Sequence, residues 1–501
     1  MDYSTLPLIL TASAVLAAAY SWNKSRHPVP LPPGPKGHPI FGSALEIAAA
    51  EASWLKFAEY AGQYGPVISV RILHQQMFIL SDPRIVTELL EKRASNYSNK
   101  GANGMAKLIG WDKDIMFMAY GPTFKRYRTM LSRALNNRVA LDYVSVQQHE
   151  VQRFLKRIVD QPTQFMEHVH LLAASIAVRI AYGHKIESHD DKFVRVAEEH
   201  MAGLLELMLP RKWIVNVIPP LRYLPTSLPI FPFQKRALQA KQTFDTHCEE
   251  PFKYVKEHMA AGTAEDSFTS KLLQPEDGRP LDDSETEEHI KSIAATLYWV
   301  GSDTTVSAVQ SFFLAMALYP EVQAKAQSEI ADYLREHSTS ESRTMVSLGD
   351  RVQLPYTSAL VRELLRWHPI VPLTPRRVGK EDDNNVISNG KTYRIPAGSL
   401  IMMNIWKMLQ DPEVYDQPKR FMPERYLGEK PPPNPESYVF GFGRRVCPGL
   451  HVAQQSMWLS ISNLLLNFSV TKSKDKNGVE IVPEERYSNG IIRFARDYFS
   501  I

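Results

Sequence analysis

The sequence is poor in cysteine and nearly balanced in charge. It contains only two cysteines in 501 residues, which excludes a disulfide scaffold and leaves too few thiolates for a zinc site of cysteine alone. The formal net charge is +4, too small a surplus to indicate a nucleic-acid-binding protein. With 44% hydrophobic and 22% charged residues, the composition is that of an ordinary globular chain.

The usual nucleotide-binding motifs are also missing. No G-x-G-x-x-G follows a predicted strand, and there is no G-K-[ST] loop, which argues against a nucleotide-binding domain within the chain. No repeat occurs at the periods typical of solenoids. If the chain is a redox enzyme, its electrons must therefore come from another protein.

The N-terminus has a long uncharged and mostly apolar stretch. Residues 3–23 carry no charged side chain, and about 20 apolar residues suffice to span a bilayer. A cleaved signal peptide is the alternative, but it would begin with a positive region, whereas here Asp2 precedes the stretch and Lys24 and Arg26 follow it. This asymmetry predicts a retained transmembrane anchor with the body on the cytosolic side. A proline-rich segment over residues 24–40 is predicted to be a stiff hinge, and residues 41–501 a single catalytic domain.

The body is predicted to be mainly α with small β-sheets. Residues 67–80 alternate and are rich in β-branched side chains, which predicts strands around a turn, and a second small β region is expected over 376–395. Pro251 is expected to kink or split its helix. Helical periodicity or strong helix formers occur over residues 83–93, 124–136, 144–159, 193–208, 233–261, 284–319, 321–337, 354–367 and 450–468.

The most informative string is Phe440–Gly449, FGFGRRVCPG. Glycines such as Gly443 and Gly449 let the backbone turn tightly and approach a flat ligand. Arg445 could serve an anionic group, and the helix predicted directly after the loop would place its positive end beside the sulfur of Cys447. The alternative for Cys447 is a buried free cysteine on a glycine-rich turn. Cys248, in the polar helical context Thr246-His-Cys-Glu-Glu250, is interpreted as inert.

This F-x-x-G-x-R-x-C-x-G string resembles the haem-binding loop of the cytochrome P450 family. The resemblance implies the cytochrome P450 fold and haem b (iron protoporphyrin IX) as cofactor. It makes Cys447 the axial ligand of the haem iron, pairs Arg445 with a propionate and packs Phe440 beside the sulfur. Gly443 and Gly449 would belong to the haem-binding loop. Thiolate ligation donates electron density that favours cleavage of the O–O bond.

Other segments resemble further motifs of the family. Glu363 and Arg366 are spaced to share a helix face, which alone usually indicates a solvated surface pair. By resemblance, Arg425 in Phe421-Met-Pro-Glu-Arg-Tyr426 would close a buried network with them that braces the cysteine loop. Breaking such a network is costly, because a buried charge then loses its partner.

The propionate arginines follow from the same resemblance. Arg128 would be one of them, although Phe124 replaces the tryptophan of the family's W-x-x-x-R segment and cannot donate an N–H bond. Either Arg376 or Arg377 would be another.

Residues 293–307 interrupt an apolar helix with small and hydroxyl side chains, which predicts a local kink or simply a polar step. The segment resembles the family's oxygen-activation motif. By that match Thr304 would position a water and Asp303 would help relay protons to the distal oxygen, which is general acid catalysis through water. Val300 stands where Ala or Gly is usual, which would narrow the pocket. An apolar cavity suited to a hydrophobic metabolite is expected from Trp111, Leu297, Val300, Val371 and Ile491, unless these are plain core residues.

The resemblance thus predicts a membrane-anchored haem-thiolate monooxygenase of fungal, especially basidiomycete, secondary metabolism. It would insert one oxygen atom from O₂ into a terpenoid or other hydrophobic small molecule, in one or several rounds, at the endoplasmic reticulum membrane. NADPH-cytochrome P450 reductase would supply electrons and dock at a basic patch formed by Lys125, Arg126, Lys419 and Arg444.

Three alternatives remain open. A haem-thiolate isomerase or dehydratase would not consume O₂, and a non-enzymatic membrane protein would bind no haem. A two-histidine iron site is the third, suggested by His184 and His189 near Asp190.

Overall fold

The computed structural model describes residues 29–73, 75–101, 103–207, 212–224, 231–274, 284–337 and 344–495. The chain forms two compact units. The first contains the described residues up to Tyr97 together with Pro375–Met403, and the second contains Ser98–Thr374 and the described residues from Asn404 onward.

The first unit holds most of the β-structure. Strands β1 (Val67–Ile72) and β2 (Gln75–Leu80) pair antiparallel, and β2 pairs parallel with β6 (Leu400–Asn404) in a sheet of order β1-β2-β6-β3. The remaining strands are β3 (Leu373–Arg377) and an antiparallel pair, β4 (Asp383–Ser388) and β5 (Lys391–Ile395). The α-helices of this unit are Ala44–Ala49, Ser53–Tyr64, Pro83–Thr87 and Ala94–Tyr97, with a π-helical turn at Glu88–Lys92.

The second unit is helical. Its described α-helices are Gly104–Ile109, Pro122–Leu135, Val144–Asp160, Phe165–Tyr182, Lys192–Leu207, Ile214–Val217, Pro232–Ala260, Phe268–Leu273, Ser284–Leu318, Pro320–His337, Pro355–Trp367, Ile405–Leu409, Glu436–Val439 and Leu450–Asn467. Short 3₁₀ turns connect several of them, at Trp111–Lys113, Val139–Tyr143, Pro162–Gln164, Pro219–Tyr223, Leu348–Gln353, Pro423–Tyr426 and Gly443–Arg445.

Ser284–Leu318, the long helix, organises the core of this unit. It packs against Phe165–Tyr182, which is buried along most of its length, and also against Leu450–Asn467, the helix that follows the cysteine loop. Burial of apolar side chains from all three helices in one cluster holds the long helix in place.

The mainly helical fold with small sheets confirms the prediction, as do the strands within residues 67–80. Pro251 does not split its helix, which runs unbroken over Pro232–Ala260. Among the described residues, no helix is both long enough and apolar enough to cross a bilayer. The predicted anchor over residues 3–23 and the first part of the hinge lie outside the described residues.

Candidate active site

The cysteine loop, Phe440–Gly449, is a turn whose geometry depends on glycine. Gly441 and Gly443 have φ values of 80° and 56°, in the left-handed region where a Cβ is unfavourable. The N–H of Cys447 donates to the carbonyl oxygen of Phe440 at 2.7 Å, which closes the turn. Gly449 has an ordinary φ of −87° and is the N-cap of the helix Leu450–Asn467, so the sulfur lies near the positive end of an 18-residue helix.

The groups around the Cys447 sulfur shift the pKa of its thiol in opposite directions. Burial raises the pKa of the thiol, whereas a hydrogen bond from the N–H of Gly449 and the nearby charge of Arg128 lower it. The side chain is nonetheless only partly buried. A bound metal cation would lower the pKa of the thiol further and stabilise the thiolate, because metals bind the deprotonated form of cysteine. Cys248 differs, because it is buried in a helix and burial raises its pKa strongly.

Arg445 is held by the segment that precedes the Pro122–Leu135 helix. Its guanidinium donates to the carbonyl oxygens of Ser98 (2.9 Å), Ile115 (3.1 Å) and Met118 (2.7 Å). The guanidinium also lies over the ring of Phe124, 3.8 Å from the ring centroid. Phe124 has no N–H to donate, unlike the tryptophan usual at this position. Its ring instead provides a flat, buried face on which this arginine stacks.

Two further contacts join the Pro122–Leu135 region to the cysteine loop. Arg128 donates to the carbonyl oxygen of Val446 at 2.8 Å, and Arg444 donates to the hydroxyl of Tyr120 at 2.7 Å. The Tyr120 ring lies 5.5 Å from that of Phe124. Tyr120 stands in the same string as Arg128, but no motif in the sequence marks it as a functional residue. Its contacts with Arg444 and Phe124 distinguish it from an ordinary surface tyrosine.

Glu363, Arg366 and Arg425 form a buried ion network. Arg366 donates to both carboxylate oxygens of Glu363 at 2.8 Å, and Arg425 donates to one of them at 3.0 Å. The side chains of Glu363 and Arg366 are 0% exposed and that of Arg425 is 5% exposed. The structure therefore brings together the three residues that the resemblance grouped, and excludes the surface pair that the spacing alone suggested.

The network reaches the cysteine loop indirectly. Hydrogen bonds join these side chains to the stretch 409–422. Arg366 donates to the carbonyl oxygens of Leu409 and Pro418, and the Glu363 carboxylate accepts from the N–H of Met422. The helix that carries Glu363, Pro355–Trp367, packs against Glu436–Val439, which directly precedes the loop. The ion network therefore stabilises the cysteine loop through the contact between these two helices.

The long helix carries the candidate proton-transfer residues. Thr304 donates to the carbonyl oxygen of Val300 at 2.9 Å, and Thr305 makes the same bond to Gly301. The helix continues unbroken through these residues, so the hydroxyls supplement its hydrogen bonds rather than replace them. Burial, and secondarily the charge of Glu198, raises the pKa of Asp303 to about 7. A carboxyl group with that pKa can both accept and release a proton near neutral pH.

Arg376 and Arg377 belong to the first unit. Arg376 is 3% exposed and donates to the carbonyl oxygen of Pro375 at 2.8 Å, and burial lowers its pKa to about 10. No ion pair within the described residues includes it. A buried guanidinium with this environment is stabilised by an added anion such as a carboxylate. Arg377 is half-buried and donates to the carbonyl oxygen of Gly398.

The five predicted pocket residues lie in different environments. Leu297, Val300 and Val371 are partly exposed apolar residues at the edges of buried clusters. Trp111 is instead 1% exposed and stacks on Phe117, as a core residue would. Ile491 is 38% exposed on the Tyr487–Phe494 loop.

Two predicted groups remain, the basic patch for a reductase and the two-histidine iron site. The basic residues Lys125, Arg126, Lys419 and Arg444 are all exposed. His184 pairs with Asp191 at 2.8 Å and its ring packs against Phe193 and Tyr254. Within the described part of the chain, no three metal-binding side chains are grouped for an ion, which removes support for a two-histidine iron site.

Comparison with known proteins agrees with this geometry. A profile of the family Cytochrome P450 matches residues 32–490. The chain is 36% identical to the cytochrome P450 monooxygenase COX2 of Coprinopsis cinerea, over 90% of this chain and 84% of that protein. It is also 36% identical to claT of Ampulloclitocybe clavipes (97% and 93%) and to CLM2 of Gibberella zeae (93% and 87%), both cytochrome P450 monooxygenases.

A cysteine beside a backbone N–H and an arginine, in the same unit as a helix that carries a hydroxyl and a carboxyl group of raised pKa, defines a candidate oxygen-activating protein. The chain belongs to the cytochrome P450 family, and it is a monooxygenase of the oxidoreductase class. The family implies haem and the use of O₂, and the residues present fit that group. Cys447 would hold its iron, and Arg128, Arg445 and Phe440 would surround it. Haem with a thiolate ligand supplies the chemistry that cleaves the O–O bond.

Proposed function

We propose that this monooxygenase hydroxylates a hydrophobic small molecule, a terpenoid or another fungal secondary metabolite, in one or several rounds. The reaction is substrate C–H + O₂ + NADPH + H⁺ → C–OH + H₂O + NADP⁺. The observation that carries the proposal is a set of three partly exposed apolar side chains, here called the apolar edge: Leu297 and Val300 on the helix of Thr304, and Val371, which packs on the same buried cluster as Val300. Apolar linings with few polar groups suit ligands of this kind.

Different residues of the chain would have different roles in this reaction. The cysteine loop holds the sulfur in one orientation, because the Cys447 N–H is bonded to Phe440. Asp303 takes up and releases protons, and the Thr304 hydroxyl orients the water that passes them on. The apolar edge orients the substrate and excludes bulk water. The absence of a flavin or nicotinamide motif in the sequence supports a separate NADPH-cytochrome P450 reductase, which docks on the exposed basic residues.

The location follows from the N-terminal sequence alone. We propose an anchor over residues 3–23 and a hinge over 24–40 that hold the catalytic domain, residues 41–501, at the cytosolic face of the endoplasmic reticulum.

The first test is spectroscopic. The reduced protein should bind CO with the red-shifted Soret band of a thiolate-ligated haem, and Cys447→Ala should abolish that band while Cys248→Ala retains it. A band that survives in Cys447→Ala would show that another residue ligates the iron. A correctly folded protein that takes up no haem would support the non-enzymatic alternative.

The second test is stoichiometric and uses candidate terpenoids that give a substrate-induced spectral shift. Turnover should consume one O₂ and one NADPH per hydroxyl formed, as the balanced reaction requires. Product formation without either would favour the isomerase or dehydratase. Thr304→Ala should divert electrons to peroxide while haem stays bound. Thr305→Ala, which removes the same type of hydrogen bond from the next residue, is the matched control and should stay coupled.

A further inference from the structure

Asp114 is a buried carboxylate that the proposed reaction does not use. It is 2% exposed, and its oxygens accept hydrogen bonds from the Thr296 hydroxyl (2.8 Å), the Trp299 indole N–H (3.3 Å) and the Met116 N–H (2.7 Å). No ion pair within the described residues includes it. Burial raises its pKa, and these three hydrogen bonds, followed by the charge of Lys100, lower it only in part. A buried carboxylate held by neutral donors is costly unless every oxygen is bonded.

The partners of Asp114 connect two parts of the site. Thr296 and Trp299 belong to the long helix, and Thr296 precedes Thr304 by eight residues, a rise of about 12 Å. On the other side, the carbonyl oxygens of Ile115 and Met118, the neighbours of Asp114, accept from Arg445 in the cysteine loop. The turn is also closed internally, since the Met118 N–H donates to the Asp114 carbonyl oxygen at 2.8 Å.

The side chains that this turn presents are apolar. Met116 and Phe117 are partly exposed and pack at the edge of the same cluster as Val300 and Val371. The long helix bonds to this turn at Asp114, through Thr296 and Trp299, and more weakly at the Lys113 carbonyl oxygen, through the Ser292 hydroxyl at 3.4 Å. The N–H groups of Met116 and Phe117 both donate to Asp114, so the positions of these two residues relative to the long helix depend on how Asp114 is held.

We propose that Asp114 is a positioning residue that clasps the turn Trp111–Met118 to the long helix and so sets the size of ligand admitted beside the haem. The inference rests on the proposed function and deepens it. Asp114 touches neither substrate nor haem in this account. It acts through Met116 and Phe117, whose distance from Val300 it fixes.

The test compares two ligands of different size on the holoenzyme. Imidazole is small, 1-phenylimidazole is bulkier, and both coordinate haem iron and shift the Soret band, so two dissociation constants and their ratio can be measured. Thr296→Val removes the hydroxyl but keeps the shape. It should raise the preference for 1-phenylimidazole over imidazole by about threefold or more, which corresponds to one net hydrogen bond. Thr296→Ser keeps the hydroxyl and should retain the original ratio.

Trp299→Phe provides a second variant that loses the indole N–H together with part of a buried ring, and it should change the ratio in the same direction. A merely structural role would lower stability without changing the ratio. A smaller increase than threefold, a decrease, or an equal change in Thr296→Ser would overturn the clasp. The proposed function is tested by a different measurement, because it requires the thiolate-type CO band in the unmodified protein. That band should persist in all three variants even if the ratio shows that the clasp is wrong.

Discussion

Glu363→Gln is the most direct test of how the core near the cysteine loop is stabilised. The Glu363 carboxylate accepts four hydrogen bonds, two from Arg366, one from Arg425 and one from the N–H of Met422. Glutamine keeps the shape but carries no charge. Its amide NH₂ would also face guanidinium donors, where the carboxylate had an accepting oxygen.

The magnitude follows from burial. Removing one partner of a buried ion pair costs about 3–5 kcal/mol, because the remaining charge is left uncompensated. Here two guanidiniums, 0% and 5% exposed, would remain. Arg366 still donates to the carbonyl oxygens of Leu409 and Pro418, which limits the loss. We therefore expect a decrease of about 3–4 kcal/mol in the free energy of unfolding.

The assay is a urea titration that follows the thiolate-type Soret band of the CO complex together with far-UV circular dichroism. Asp245→Asn is the control, because it breaks the exposed Lys241–Asp245 pair (47% and 57% exposed) and should cost no more than about 0.5 kcal/mol. Replacing Glu363 and Arg366 together with apolar residues should cost less than the two single losses combined. If Glu363→Gln behaves like Asp245→Asn, the buried network does not stabilise this region.

Three further outcomes are expected. Phe124→Leu removes the ring beneath Arg445, worth about 1–2 kcal/mol, and should speed haem transfer to apomyoglobin roughly five- to thirtyfold, whereas Phe124→Tyr should not. Asp303 has a raised pKa of about 7, so the folded state keeps a proton that the unfolded state has released, and the stability of the wild type falls as pH rises toward 7. Asp303→Asn lacks this penalty, so its stability relative to the wild type should rise by about 2–3 kcal/mol between pH 5 and pH 8, and a constant difference would contradict the raised pKa. Deleting residues 1–27 should move the protein from the membrane pellet to the supernatant, and full sedimentation of the truncated chain would show that other surfaces bind the membrane.

The sequence was a good guide where local chemistry decides the conformation. The left-handed turns at Gly441 and Gly443 and the helix beginning after Gly449 follow from residue type and order. The strands within 67–80 also follow from alternation and β-branched residues. Such features depend on neighbours within a few positions, which a single sequence displays.

The sequence was a poor guide where burial replaces periodicity. The helix Phe165–Tyr182 was not predicted, because it is buried on nearly all sides and lacks the apolar and polar faces that mark a surface helix. Trp111 was expected to line the pocket but belongs to the core, and Ile491 is more exposed than a pocket residue is expected to be. An apolar side chain looks the same in a sequence whether it faces a cavity, the core or solvent.

By itself, therefore, the sequence determined the cysteine loop, the hydroxyl and carboxyl pair at residues 303–304, and a mainly helical body. Tertiary structure alone decided which distant groups meet. It placed Arg425 on Glu363, Phe124 beneath Arg445 and Asp114 on Thr296, pairs separated by 62, 321 and 182 positions along the chain. The energy of a buried charge depends on what surrounds it in three dimensions, and residues far apart in sequence supply those surroundings only after the chain has folded.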